Sequence, residues 1–166
     1  MKKYFVIVGF LSLFVGSVVR SQDKAGHADD TKHVAVRPDA IKWGSAPPGL
    51  PPGAQMAVLV GDPTKSGMPY VARAKLPNGY RIPPHWHPSD ENITVLQGTL
   101  LVGEGEKLDA AKAEELTAGS FMRMPKNMRH FAIAKGETII QLHGTEPFEI
   151  NYVNPADDPR KKEGNN

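Results

Sequence analysis

Between residues 54 and 153 the chain is cut into short pieces, and this punctuation limits the fold more than any other feature. Runs at residues 55–60, 70–75, 92–97, 99–102, 120–123, 130–134, 138–143 and 149–153 are apolar or alternating, and glycine, proline or Asn-Gly bounds them. Pieces this short cannot build long helices, whereas β-branched and alternating residues suit strands. The 16 glycines and 15 prolines supply the turns. Residues 76–80 carry Asn78-Gly79, a strong hairpin signal. Gly98 predicts a second hairpin, joining residues 92–97 to residues 99–102. Residues 81–86 hold Pro83 and Pro84, which predicts an extended stretch that is not a central strand. Residues 104–116 (EGEKLDAAKAEEL) alone favour a helix, predicted short and on the surface. Physical pattern alone therefore gives an all-β sandwich or barrel.

The 166 residues suffice for one domain with a proper core. Residues 1–21 read as a Sec-type signal peptide. Lys2 and Lys3 precede an uncharged apolar run at 4–19, and small residues Val19 and Ser21 precede Gln22. The run is shorter than the roughly 20 residues a spanning helix needs, so no stable membrane anchor is expected after cleavage. This predicts a periplasmic or secreted protein. Cleavage would remove three basic residues and no acid, leaving 17 basic against 18 acidic residues. That balance gives no electrostatic case for nucleic acid. With no cysteine there is no disulfide framework. Residues 22–53 read as an exported linker and amino-terminal arm. His27 and His33 in it are expected to be solvated, and Trp43 to pack the arm onto the barrel. Residues 54–153 are expected to form the β-domain, a sandwich or barrel, and residues 154–166 a frayed polar tail.

His85 and His87 stand two apart, so on an extended strand both imidazoles face the same side. Glu91 follows, and His130 lies downstream. A carboxylate and a third imidazole from neighbouring strands could complete a shell of nitrogen and oxygen ligands, suited to zinc, iron, manganese, copper or nickel. No nucleophile elbow, phosphate loop or dinucleotide fingerprint occurs.

These residues resemble the cupin superfamily, of the exported single-barrel type. Gly79, His85, His87, Glu91 and Gly98 match its first motif at every fixed position, and Gly119, Pro125 and His130 match its second. Asn127 stands where the second motif has glycine, and Ala134 where it has asparagine. Asparagine tolerates positive φ well, so the turn is expected to survive. The resemblance implies a double-stranded β-helix, or jelly roll. It also implies one divalent metal ion held by His85, His87, Glu91 and His130, and leaves a homodimer open.

Three imidazoles and a carboxylate leave coordination positions free, as catalytic sites do. The resulting expectation is a metal-dependent oxidoreductase or lyase of dioxygenase, decarboxylase or isomerase type, acting on a small organic molecule. The alternative is a non-catalytic barrel that binds a metal or small ligand. Inward polar groups beyond the four ligands would favour the enzyme. Gln141 and His143 share one strand face and are the candidates, as a general base or as substrate orienters. Phe121 and Phe131 are expected to pack in the barrel.

Overall fold

The computed structural model describes residues 33–161 except 66 and 146. The segment expected to be a signal peptide, His27 and the last five residues of the expected polar tail lie outside the described residues. Nine strands occur among those described: β1 (Gly44–Ser45), β2 (Gln55–Val60), β3 (Tyr70–Leu76), β4 (Arg81–Trp86), β5 (Glu91–Glu104), β6 (Glu114–Thr117), β7 (Phe121–Met124), β8 (His130–Gly144) and β9 (Asn151–Tyr152).

Two long strands, β5 and β8, organise the barrel. They pair antiparallel from Asn92–His143 to Glu104–His130, with register shifts around Gln97. Each serves two halves of the barrel. On one side β3 pairs with residues 138–144 and β7 with residues 91–94; on the other β4 pairs with β8 near His130 and β6 with residues 99–102. This is the double-stranded β-helix that the motif resemblance implies.

The expected hairpin at Gly98 is a bend within one strand instead. Gly98 has φ +72°, and a Cβ there would stand 2.3 Å from the Glu137 carbonyl oxygen. Opposite it, the fully buried Thr138 hydroxyl donates to the Thr99 carbonyl at 2.9 Å. A glycine here curls the ladder from one half of the barrel to the other.

The predicted helix at 104–116 does not form. β5 occupies its start, Asp109 caps a single 3-10 turn at Ala110–Lys112, and β6 follows. Helix propensity is a weak prior. Here it yields to pairing with β5, which sets Leu116 opposite Leu100 and buries both.

Residues 81–86 also depart from expectation. β4 lies between β8 and β9 and pairs with both. Its register breaks between Ile82 and His85, so the two prolines fall at an irregularity that needs no ladder N–H from them.

The core fills from the inward parity of the strands. Leu76, Val95, Leu100 and Met124 are fully buried. Ala134, in place of the motif asparagine, is buried among them, and its backbone exchanges hydrogen bonds with Gly79 and Tyr80 at 2.9 Å. The arm adds Leu50 to this core, while Lys75 Nζ lies 4.6 Å from the Trp43 ring centroid. Residues 155–161 are not frayed: Arg160 pairs with Asp158 and donates to the Ile150 carbonyl at 3.0 Å.

Candidate metal centre

Each of the four motif residues lies at a strand end. His85 is near the end of β4 and His87 just beyond it, while Glu91 opens β5 and His130 opens β8. His85 and His130 are direct cross-strand partners. All four side chains are buried, and their ligand atoms lie within 4.8 Å of one another. The strand parity of His85 and His87 thus works as the sequence implies, with Trp86 between them only half-buried.

Backbone carbonyls set the orientation of each ring. His85 Nδ1 pairs with the Pro83 carbonyl at 2.8 Å, His130 Nδ1 with the Met128 carbonyl at 3.0 Å, and His87 Nδ1 with the Glu149 carbonyl. A carbonyl only accepts, so each Nδ1 carries a proton, and a ring that is neutral turns its Nε2 lone pair inward. Such a carbonyl behind each imidazole is the usual support of a metal-binding histidine.

The inward atoms lack what they need. Glu91 Oε2 lies 3.3 Å from His87 Nε2 and 3.2 Å from His130 Nε2. Neutral Nε2 lone pairs facing a carboxylate repel it unless a proton or a metal ion lies between them. His87 Nε2 and Glu91 Oε2 are buried with no hydrogen-bond partner, an arrangement folded proteins rarely tolerate. The donor set of three nitrogens and one oxygen fits a single divalent ion.

Electrostatics point the same way. Burial opposes ionisation of Glu91, yet His87 and His130 outweigh it and hold the carboxyl far below the usual range. Burial also opposes charge on His87, but the Glu91 carboxylate wins and raises its pKa. Burial, reinforced by His130 and His87, lowers His85 to about 3. The cluster holds an anionic carboxylate among imidazoles that cannot all be charged, which favours one shared cation.

Around the ligands lies a narrow cavity of about 30 Å³. Its remaining wall is apolar, including Leu76, Ile93, Leu100, Leu142, Leu50 and Phe148. Among the described residues, no other polar side chain lines it.

Gln141 and His143 are not in this cavity. Ile140 and Leu142 point into the core, opposite Val95 and Ile93, so alternation turns Gln141 and His143 outward beside Thr94 and Asn92. Gln141 accepts from Arg73 Nε at 3.1 Å, and the His143 ring stacks with Phe121 at 6.3 Å. Neither can serve as a base at the four ligands. Phe121 is itself exposed, whereas Phe131 is fully buried. His33 is exposed, as expected.

Three supporting features escaped the sequence reading. Asp90, next to Glu91, accepts from Arg123 Nε at 3.0 Å and from the Lys126 backbone N–H at 2.9 Å, clamping the start of β5 to the second motif. Leu50 comes from the arm, and Phe148 and Ile150 come from the segment before β9. The proline-rich arm and the short strand prediction at 149–153 gave no sign of a cavity wall.

A model of the family described as a domain of unknown function, DUF4437, matches residues 15–151. A search among curated proteins returns no significant match. Among solved structures, the polyketide cyclase RemF from Streptomyces resistomycificus is similar, with 17% identity over 80% of this chain and 94% of that one, at TM-score 0.58. An RmlC-like cupin from Shewanella frigidimarina is similar at 15% identity over 70% of this chain and 92% of that one, TM-score 0.53. An oxalate oxidase is similar at 22% identity over 81% of this chain and 68% of that one, TM-score 0.52. These likenesses establish the cupin fold.

Proposed function

The chain belongs to the DUF4437 family, and we propose that within it this protein is an exported, metal-dependent enzyme acting on a small organic molecule. One observation carries the reading: three imidazoles, each oriented by a backbone carbonyl, face a buried carboxylate oxygen that has no partner. A divalent ion held by His85, His87, Glu91 and His130 would act as a Lewis acid on an oxygen of the bound molecule and keep positions open for it.

The protein's own contribution follows from the cavity. His85, His87 and His130 bind through Nε2. The apolar wall excludes water and strengthens every charge interaction inside. Glu91 is the one inward carboxylate among the described residues lining the cavity, so it would supply the negative charge of the ligand set. Two of the similar structures are named as enzymes, a polyketide cyclase and an oxalate oxidase, which supports oxidoreductase or lyase chemistry over mere storage.

A second reading is a non-catalytic barrel that binds a metal or small ligand. It is favoured by the lack of any further polar side chain lining the cavity among the described residues.

Metal analysis separates the two. The full chain, expressed so that it is exported, is compared with a version lacking residues 1–21. Nitrogen and oxygen sites intrinsically favour copper and zinc over iron and manganese, so the exported form is expected to carry the former. A stoichiometric ion whose spectrum or relaxation responds to added azide supports the enzyme. A fully ligated zinc without an exchangeable position supports the binder. Absence of metal from both preparations defeats both metal readings.

A further inference from the structure

We propose that the metal centre takes a small molecule with oxygen donors at one end and a hydrocarbon body, admitted past Leu50, Phe148 and Ile150. This rests on the metal-centre reading and adds to it the ligand class and the route.

The walls set the class. Beyond the four ligands, every described side chain lining the metal cavity is apolar. A second carboxylate or a set of sugar hydroxyls would be buried there without partners, which is costly; a hydrocarbon would not. Arg160, which lines the second cavity on the entry side, is engaged through Nε and Nη2 by Asp158 and the Ile150 carbonyl. Inside the metal cavity a ligand's polar end therefore has only the metal and its four ligands to meet it.

The route follows from space and backbone. About 30 Å³ holds on the order of one water, so part of the wall must yield to any organic ligand. Most of the wall sits on strands held by ladder hydrogen bonds. Leu50, Phe148 and Ile150 lie outside every strand. The same three residues line a second cavity of about 250 Å³, walled also by Pro47, Pro48, Gly49, Glu149 and Arg160. One layer of side chains thus separates this vestibule from the metal cavity. The arm behind Leu50 is pinned, because Tyr152 donates to the Gly49 carbonyl at 2.8 Å and Tyr80 to the Pro51 carbonyl. Phe148 is half-buried, and its ring can turn without moving the Glu149 carbonyl that orients His87.

The test loads the full chain with cobalt(II), whose visible spectrum reports changes in coordination, and titrates acetate, butyrate, hexanoate and succinate. Affinity should rise about fourfold for each added CH₂, and succinate should bind no better than acetate. Phe148→Ala and Phe148→Leu should both retain cobalt, with faster hexanoate uptake in the alanine variant. Affinity independent of chain length, or tighter succinate, would overturn the ligand class and leave the metal reading standing. Unchanged uptake rates in both variants would overturn the route. Failure of the unmodified chain to take up cobalt would remove the metal reading and this inference together.

Discussion

The backbone N–H of Asn127 donates to the carbonyl oxygen of His87 at 2.8 Å. The turn of the second motif therefore holds the ligand-bearing end of the first. Asn127 reaches that position with φ 64°, the one positive value at a non-glycine residue among those described. Asparagine tolerates this region, whereas a β-branched residue does not. Asn127→Gly should leave stability nearly unchanged. Asn127→Val should cost about 1–2 kcal/mol and weaken metal retention, because the His87 backbone loses its restraint. Thermal unfolding and metal stoichiometry on the two variants check this; equal behaviour would show that the turn does not support the ligand.

Removal of a ligand should be worse than removal of a support. His87→Ala leaves the Glu91 carboxylate facing a void and should abolish stoichiometric metal. Glu91→Gln keeps an oxygen donor but loses the charge, so it should weaken binding without ending it. Metal content after dialysis reads both. Full occupancy in His87→Ala would exclude the four-residue site.

Acid should unfold the metal-free protein through His85 and Glu91. The folded state holds His85 at about 3, below its ordinary 6.5, so the unfolded chain binds more protons in between. That contribution is lost as pH falls from about 6.5 towards 3. Glu91 is also depressed, so its contribution is lost at lower pH still. His87 is raised, and its contribution runs the other way, fading as pH rises through its folded value. Urea midpoints at pH 7, 5.5 and 4 should therefore fall with pH. Metal should protect more at pH 7 than at pH 5.5, since binding must displace the proton that His87 favours. A midpoint flat across this range would contradict the burial of His85.

Of the four candidate ligands, spacing alone paired His85 with His87, and the motif resemblance added Glu91 and His130. Two residues apart on a strand means one side, and the register of β4 against β8 then brings His130 beside His85. The same parity rule could not say which face of residues 140–143 was inward, since Ile140 and Leu142 compete with Gln141 and His143. Apolar burial decided it. Gly98 read as a hairpin because positive φ serves a turn and a bend equally; only the continued pairing of β5 with β8 distinguishes them. The helix at 104–116 failed because local propensity carries no information about the partner that Leu116 finds in Leu100. Leu50, Phe148 and Ile150 were silent because a wall built from loops has no period.

His143→Ala tests the outward placement directly. The ring is half-buried and stacks with exposed Phe121, so its loss should change stability by no more than about 0.5 kcal/mol. Metal stoichiometry should be unchanged. Loss of metal in this variant would mean that the strand face has been assigned the wrong way round.

Gly103 and Phe131 are cross-strand partners on β5 and β8, one residue beyond the candidate metal ligand His130. The Phe131 ring lies directly over Gly103: a Cβ there would stand 2.2 Å from its Cζ. Phe131 is fully buried, so the ring has nowhere to retreat. Gly103→Ala should therefore cost about 1–3 kcal/mol by overpacking. The strain falls on β8 next to His130, whose imidazole depends on the Met128 carbonyl two residues back. Metal retention should drop along with stability. Phe131→Leu alone should cost stability by leaving space, and combined with Gly103→Ala it should recover part of both losses. Urea unfolding and metal content on the two single variants and the double variant give the cycle. Additive losses with no recovery would show that Gly103 is not required by the ring above it.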